Sequence, residues 1–179
     1  MKTSWTDQGW HWNAVWQAPQ HPLTRVVVAF HGFGRPCEEM LAYLPLYEVG
    51  TAMLSVGVAH QNGSHPPLDG PTQAVLKPEH MATTLDAWLE DLVGTNLQNI
   101  CLELLGYSLG GRIAMALLEC QPERWNGLTL LAPDGFKKNT LYRFVVETAA
   151  GRASWIWMDR HASGIRALIR SLRRARILP

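Results

Sequence analysis

Ile100-Cys101-Leu102-Glu103-Leu104-Leu105-Gly106-Tyr107-Ser108-Leu109-Gly110-Gly111-Arg112-Ile113-Ala114-Met115-Ala116-Leu117-Leu118 changes character half-way along. Its first six residues form a short apolar run, which reads as a strand, and its last eight read as a helix. Between them, Gly106-Tyr107-Ser108-Leu109-Gly110 matches Gly-x-Ser-x-Gly. A serine on so tight a strand-to-helix turn projects its hydroxyl away from the sheet. The helix N-terminus then directs backbone N–H groups toward it. Glycine is required two positions to either side because strand and helix backbones pass too closely there for a Cβ. The pattern is short enough to arise by chance; the strand before it and the helix after it give it weight. Ser108 is the candidate nucleophile.

Upstream, Thr24 to Phe30 is a β-branched run without alternation, expected of a strand buried on both faces. It ends in His31-Gly32-Phe33-Gly34. Thr51 to Val58 reads as a second such strand. Gly9 to Gln17 alternates apolar and polar residues and is expected to be an antiparallel edge strand. Leu128 to Ala132 is a further strand, running into Pro133-Asp134-Gly135. Helices are expected at 38–46, stopping near Pro45, and at 78–97, where Met81, Leu85, Trp88, Leu89 and Leu92 share one face. After Asp134 only helical patterns follow, at 140–149 and 165–177. Strands alternating with helices imply an α/β fold with a mostly parallel, doubly wound sheet, whose reactive groups gather at the carboxyl ends of the strands. His31, His60, Ser108 and Asp134 all fall there. The expected organisation is a core at 1–136 and a helical, cap-like segment at 137–179.

At 179 residues the chain suits one well-packed domain, and 47% hydrophobic with 17% charged residues is ordinary globular composition. Residues 1–149 carry nine basic against fourteen acidic side chains, whereas 150–179 carry seven arginines and one aspartate. That tail reads as a cap helix packing over the site mouth, as an interfacial helix touching anionic lipid, or as a poorly ordered end. No aromatic interleaving or motif points to nucleic acid. No apolar stretch approaches the ~20 residues of a membrane span, and the N-terminus lacks a signal core, so a cytoplasmic protein without stable membrane insertion is expected. Three cysteines without metal-like or redox-like spacing imply neither a disulfide framework nor a metal site.

With His31-Gly32 after one strand and Gly-Tyr-Ser-Leu-Gly-Gly after another, the chain resembles the α/β-hydrolase superfamily from about Trp10 to about Gly135. The resemblance implies Ser108 as nucleophile and an oxyanion hole from the backbone N–H groups of Leu109 and Phe33. The chemistry is acyl transfer on a small-molecule acyl substrate, most often hydrolysis of a carboxylic ester, thioester or amide, with no cofactor and no metal. The family's last two strands, which precede its usual acid and its histidine, have no counterpart here, as though the chain were truncated. Activity of this form is therefore expected to be weak. Asp134 is the candidate acid, against the plainer reading of an Asp in a turn. Among histidines only His161 lies downstream of Ser108. It is the remaining candidate base, against a solvated cap residue.

The other residues have plainer readings. His31 is expected to support the oxyanion loop, His60 and His65 to be loop residues, His80 to be exposed, and His11 and His21 to belong to the N-terminal strand and its turn. Cys101 and Cys120 read as buried thiols, Cys37 as accessible. An open sheet edge at 128–132 is expected to promote self-association. The alternative to a serine hydrolase is a non-catalytic binding or interaction protein that keeps the front half of the same fold.

Overall fold

The structure, a computed structural model, describes residues 1–19, 21–68, 76–94, 97–133, 148–151 and 153–154, without the side chain of residue 98. The β-branched run at its centre forms β3 (Arg25–Phe30), in which Val26 through Phe30 are wholly buried. Around it lie β1 (Lys2–Asp7), β2 (Trp10–Gln17), β4 (Thr51–Val56), β5 (Cys101–Tyr107) and β6 (Gly127–Leu131). The sheet order is β1-β2-β4-β3-β5-β6. The pairs β3–β4, β3–β5 and β5–β6 are parallel, and β1–β2 and β2–β4 are antiparallel. Among the described residues packed with this sheet, the α-helices are α1 (Pro78–Val93) and α2 (Leu109–Cys120).

Burial on both faces explains why β3 does not alternate. Val26, Val28 and Phe30 join a core with Leu54, Leu104, Met81, Leu85, Trp88 and Leu117, against the helices. Val27 and Ala29 face Met53, Leu105 and Met40 on the other side. An indole stack joins the N-terminal hairpin to this core, with Trp5 and Trp88 centroids 6.4 Å apart, while within β2 Trp10 and Trp12 stack 5.5 Å apart.

The structure corrects several expectations. The edge strand is β1, not the 9–17 stretch, which forms the inner β2. Gln8 and Gly9, both at positive φ (46° and 81°), make a tight two-residue turn that folds β1 onto β2. Lys2, Ser4 and Thr6 face outward on β1, as suits a solvated edge. The 38–46 helix is a 3-10 segment, Cys37–Leu46, with Pro45 inside it. Helix α1 stops at Val93 because Gly94 takes φ +85°, and residues 97–99 form a separate turn. Cys37 is buried, not accessible, and its carbonyl accepts the Ser55 hydroxyl at 2.6 Å. Cys101 and Cys120 are only partly buried. His80 is mostly buried, its Nε2 3.0 Å from Asp7 Oδ2.

The chain divides into two units, Met1–Asp134 and Gly135–Pro179. Within the second, a helix begins at Ala149, capped by Thr148 Oγ1, which accepts the Gly151 amide at 2.9 Å. The helix expected at 140–149 falls outside the described residues up to position 147, and that at 165–177 falls outside them entirely. No described helix is long and apolar enough to cross a membrane.

Candidate active site

The turn from β5 into α2 holds Ser108 at φ 50°, ψ −115°, a conformation that side-chain-bearing residues rarely adopt. Two backbone bonds fix it: the Ser108 amide donates to the Leu131 carbonyl (3.0 Å), and the Gly111 amide donates to the Ser108 carbonyl (2.9 Å). Serine is a favoured helix N-cap, yet here its hydroxyl does not cap α2. The backbone conformation thus sets this serine apart from an ordinary N-cap.

The glycines are there for space. A Cβ on Gly106 would lie 2.5 Å from Gly111 Cα. One on Gly110 would overlap the Phe30 carbonyl and lie 2.8 Å from the His31 carbonyl oxygen. One on Gly32 would lie 2.9 Å from the Tyr107 ring and 3.3 Å from Ser108 Cβ. The last contact brings the loop after β3 against the serine. Phe33, next in that loop, exposes 81% of its surface. Among the described residues, neither the Phe33 amide nor the Leu109 amide has a hydrogen-bond partner.

His31 is fully buried. Its Nδ1 donates to the Gly32 carbonyl at 2.7 Å, and its Nε2 accepts the Val58 amide at 2.9 Å, with Asn62 Nδ2 2.8 Å from the same nitrogen. An Nε2 that accepts N–H bonds carries no proton, so the ring is the neutral Nδ1–H tautomer. Burial lowers its pKa from the ordinary value, with the Gly32 bond opposing. Both nitrogens are engaged, and His31 cannot serve as base for Ser108.

The remaining sequence candidates divide. Asp134 and His161 lie outside the described residues. His60 is exposed in its loop, and His65 stacks on His11 with centroids 5.2 Å apart. Gln61 and Asn62, which reach the loop after β3, went unread in the sequence. An Asn62-Gly63 pair signals a turn, but nothing in it tells which segment the side chains meet. A cavity of about 250 Å³ adjoins the site, lined by Gly32, Met40, Tyr43 and Tyr107, with the Arg35–Glu39 ion pair (3.4 Å) on its wall. A larger cavity, about 450 Å³, lies beside Gly50 and Thr51, at the opposite end of the strands from Ser108. No cluster of three or more metal-ligating side chains occurs among the described residues.

Solved structures share this fold. A probable hydrolytic enzyme from Pseudomonas aeruginosa aligns with a TM-score of 0.57 at 17% identity, over 88% of this chain and 52% of its own. An epoxide hydrolase aligns at 0.57 and 14% identity, over 82% and 49%. A haloalkane dehalogenase from Agrobacterium tumefaciens aligns at 0.52 and 16% identity, over 74% and 41%. The chain has the α/β-hydrolase fold. It spans about half the length of these structures, and the fold is what they share with it. No protein-family model matches the chain, and no curated protein matches it in sequence.

Proposed function

We propose that this α/β-hydrolase chain carries the nucleophile and oxyanion hole of a serine hydrolase acting on a small carboxylic ester, thioester or related acyl compound. The observation that carries the reading is Ser108, held at positive φ with a hydroxyl that does not cap α2, preceding Leu109 and set against the loop that bears Phe33, both of whose amides are without partners among the described residues. In this reading Ser108 Oγ bonds to the acyl carbon, and the carbonyl electrons move onto oxygen. The Phe33 and Leu109 amides bind that oxygen, each such donor contributing ~2.7–4 kcal/mol to the transition state. The serine proton passes to a base, which gives it to the leaving oxygen or sulfur as collapse expels the alcohol or thiol; water then adds to the acyl carbon, the bond to Ser108 Oγ breaks, and the acid leaves as Oγ regains a proton. Asp134, three residues beyond β6, is the proposed acid behind that base. The cavity beside Tyr107 and Tyr43 offers room for part of the substrate.

Reaction with a fluorophosphonate tests the proposal. Labelling confined to Ser108, abolished by Ser108→Ala, supports it. A folded chain that stays unlabelled at high probe concentration refutes it in favour of a non-catalytic binding protein on the same fold.

A further inference from the structure

We propose that Gln61 and Asn62, in the loop after β4, are positioning residues that hold the Phe33 amide in place for a substrate oxygen. This rests on the acyl-transfer reading above and extends it to residues that touch neither Ser108 nor the substrate. The observation is a pattern of satisfied and unsatisfied backbone groups in residues 32–35. Gln61 Oε1 accepts the Gly34 amide at 2.6 Å. Asn62 Nδ2 donates to the Arg35 carbonyl at 2.9 Å, and its other hydrogen lies toward His31 Nε2, 2.8 Å away. The Gly32 carbonyl accepts from His31 Nδ1 (2.7 Å) and from the Arg35 amide (3.3 Å). The groups flanking Phe33 are thus tied down on both sides, and the Phe33 amide between them has no partner among the described residues.

The clamp is itself built rigidly. His60, Asn62 and Gly63 all take positive φ (65°, 53° and 81°), which turns two consecutive side chains, Gln61 and Asn62, onto the 31–35 loop. A Cβ on Gly63 would run into Asn13 Nδ2. Ser64 is buried, and its Oγ accepts the Asn13 amide at 3.0 Å. His65 and His11 exchange backbone bonds, 2.9 Å each way, which fastens the loop to β2. The clamp therefore refers the Phe33 amide to the sheet itself. A donor displaced by about 1 Å loses on the order of 100-fold in rate, which sets the scale for its removal.

The test uses the whole chain and measures two quantities, the second-order rate of Ser108 phosphonylation and amide hydrogen exchange at residues 32–35. Gln61 is half-buried and Asn62 exposed, so substitutions there leave the core intact. Gln61→Leu removes the acceptor, and Asn62→Gly removes the donors while suiting φ 53°. Each should slow phosphonylation by about 10- to 100-fold and speed exchange at 32–35 without affecting β3 or β5. Gln61→Glu keeps an acceptor for the Gly34 amide and should restore both readouts. The proposal is overturned if both losses leave phosphonylation unchanged, or if Gln61→Glu falls as far as Gln61→Leu. A wild-type chain that does not label at all overturns the acyl-transfer reading instead. The clamp is then judged by exchange alone, and unchanged protection at 32–35 overturns that too.

Discussion

Replacing Ser108 separates what its backbone costs from what its side chain does. A residue with a side chain in so sparsely populated a conformation carries about 1–3 kcal/mol of strain, and Ser108 sits at φ 50°, ψ −115°. Ser108→Ala keeps that strain. It removes a hydroxyl that makes no hydrogen bond among the described residues, so stability should stay within about 0.5 kcal/mol of wild type. Ser108→Gly releases the strain but adds unfolded-state entropy worth about 0.4–1 kcal/mol. The strain term is the larger. The glycine variant should therefore be the more stable of the two by about 1 kcal/mol, which at this chain length raises Tm by roughly 2–4 °C. Thermal melts of the two variants, followed by far-ultraviolet circular dichroism, measure the difference. At an ordinary φ the order reverses, because glycine then only costs entropy. A Ser108→Gly variant that melts below Ser108→Ala would show that the turn stores no strain.

Gly110→Ala sets a helix-propensity gain of about 1 kcal/mol against a Cβ driven into the Phe30 carbonyl. Backbone cannot yield as a side chain can, so a net loss of about 1–3 kcal/mol is expected, read as a lower urea midpoint; a higher midpoint would contradict the close approach. Trp88→Ala, emptying a wholly enclosed site between α1 and the sheet, should cost about 3–5 kcal/mol by the same assay. His31 is held neutral by burial, with its pKa below the ordinary value, so the unfolded chain binds the extra proton first. Its contribution is complete above pH ~6.5 and is lost as pH falls from there toward the lowered pKa. Unfolding free energy measured at pH 7.5 and pH 5.5 should drop more in wild type than in His31→Gln, and equal drops would sink the assignment. The Cys37 thiol is buried and pushed up to about 11, so native protein at pH 8 should be alkylated at Cys101 and Cys120 well before Cys37, as mass spectrometry of the peptides would show.

Most of the frame was legible in the chain because burial writes itself into composition. Val26-Val27-Val28, β-branched and without alternation, reads as a strand enclosed on both faces, and the Gly106–Gly110 spacing follows from sterics that act within five residues. Lys2–Asp7 was not legible. An edge strand needs little apolar content, and its pairing with β2 is set by a turn at Gln8-Gly9 that lacks the usual signature. The partners of His31 were hidden for a different reason. Val58 and Asn62 lie 27 and 31 residues away in sequence, and hydrogen bonds over such distances leave no local pattern. His80 likewise meets Asp7 across 73 residues. Sequence period reports which face of an element is dry, whereas the polar contacts that tune a site depend on which loops the sheet brings together.

The indole stacks of the hairpin have a spectroscopic consequence. Trp5, Trp10, Trp12, Trp16, Trp88 and Trp125 all belong to the core on the helical face of the sheet. The Nε1 atoms of Trp12 and Trp125 are enclosed without a hydrogen-bond partner among the described residues. These six of the chain's eight tryptophans therefore gauge the hairpin's seat on α1 and the sheet. A dye placed at Phe33 would watch the site while the indoles watch the seat. Together they would tell whether the strained turn opens on its own or only when the whole sheet comes apart.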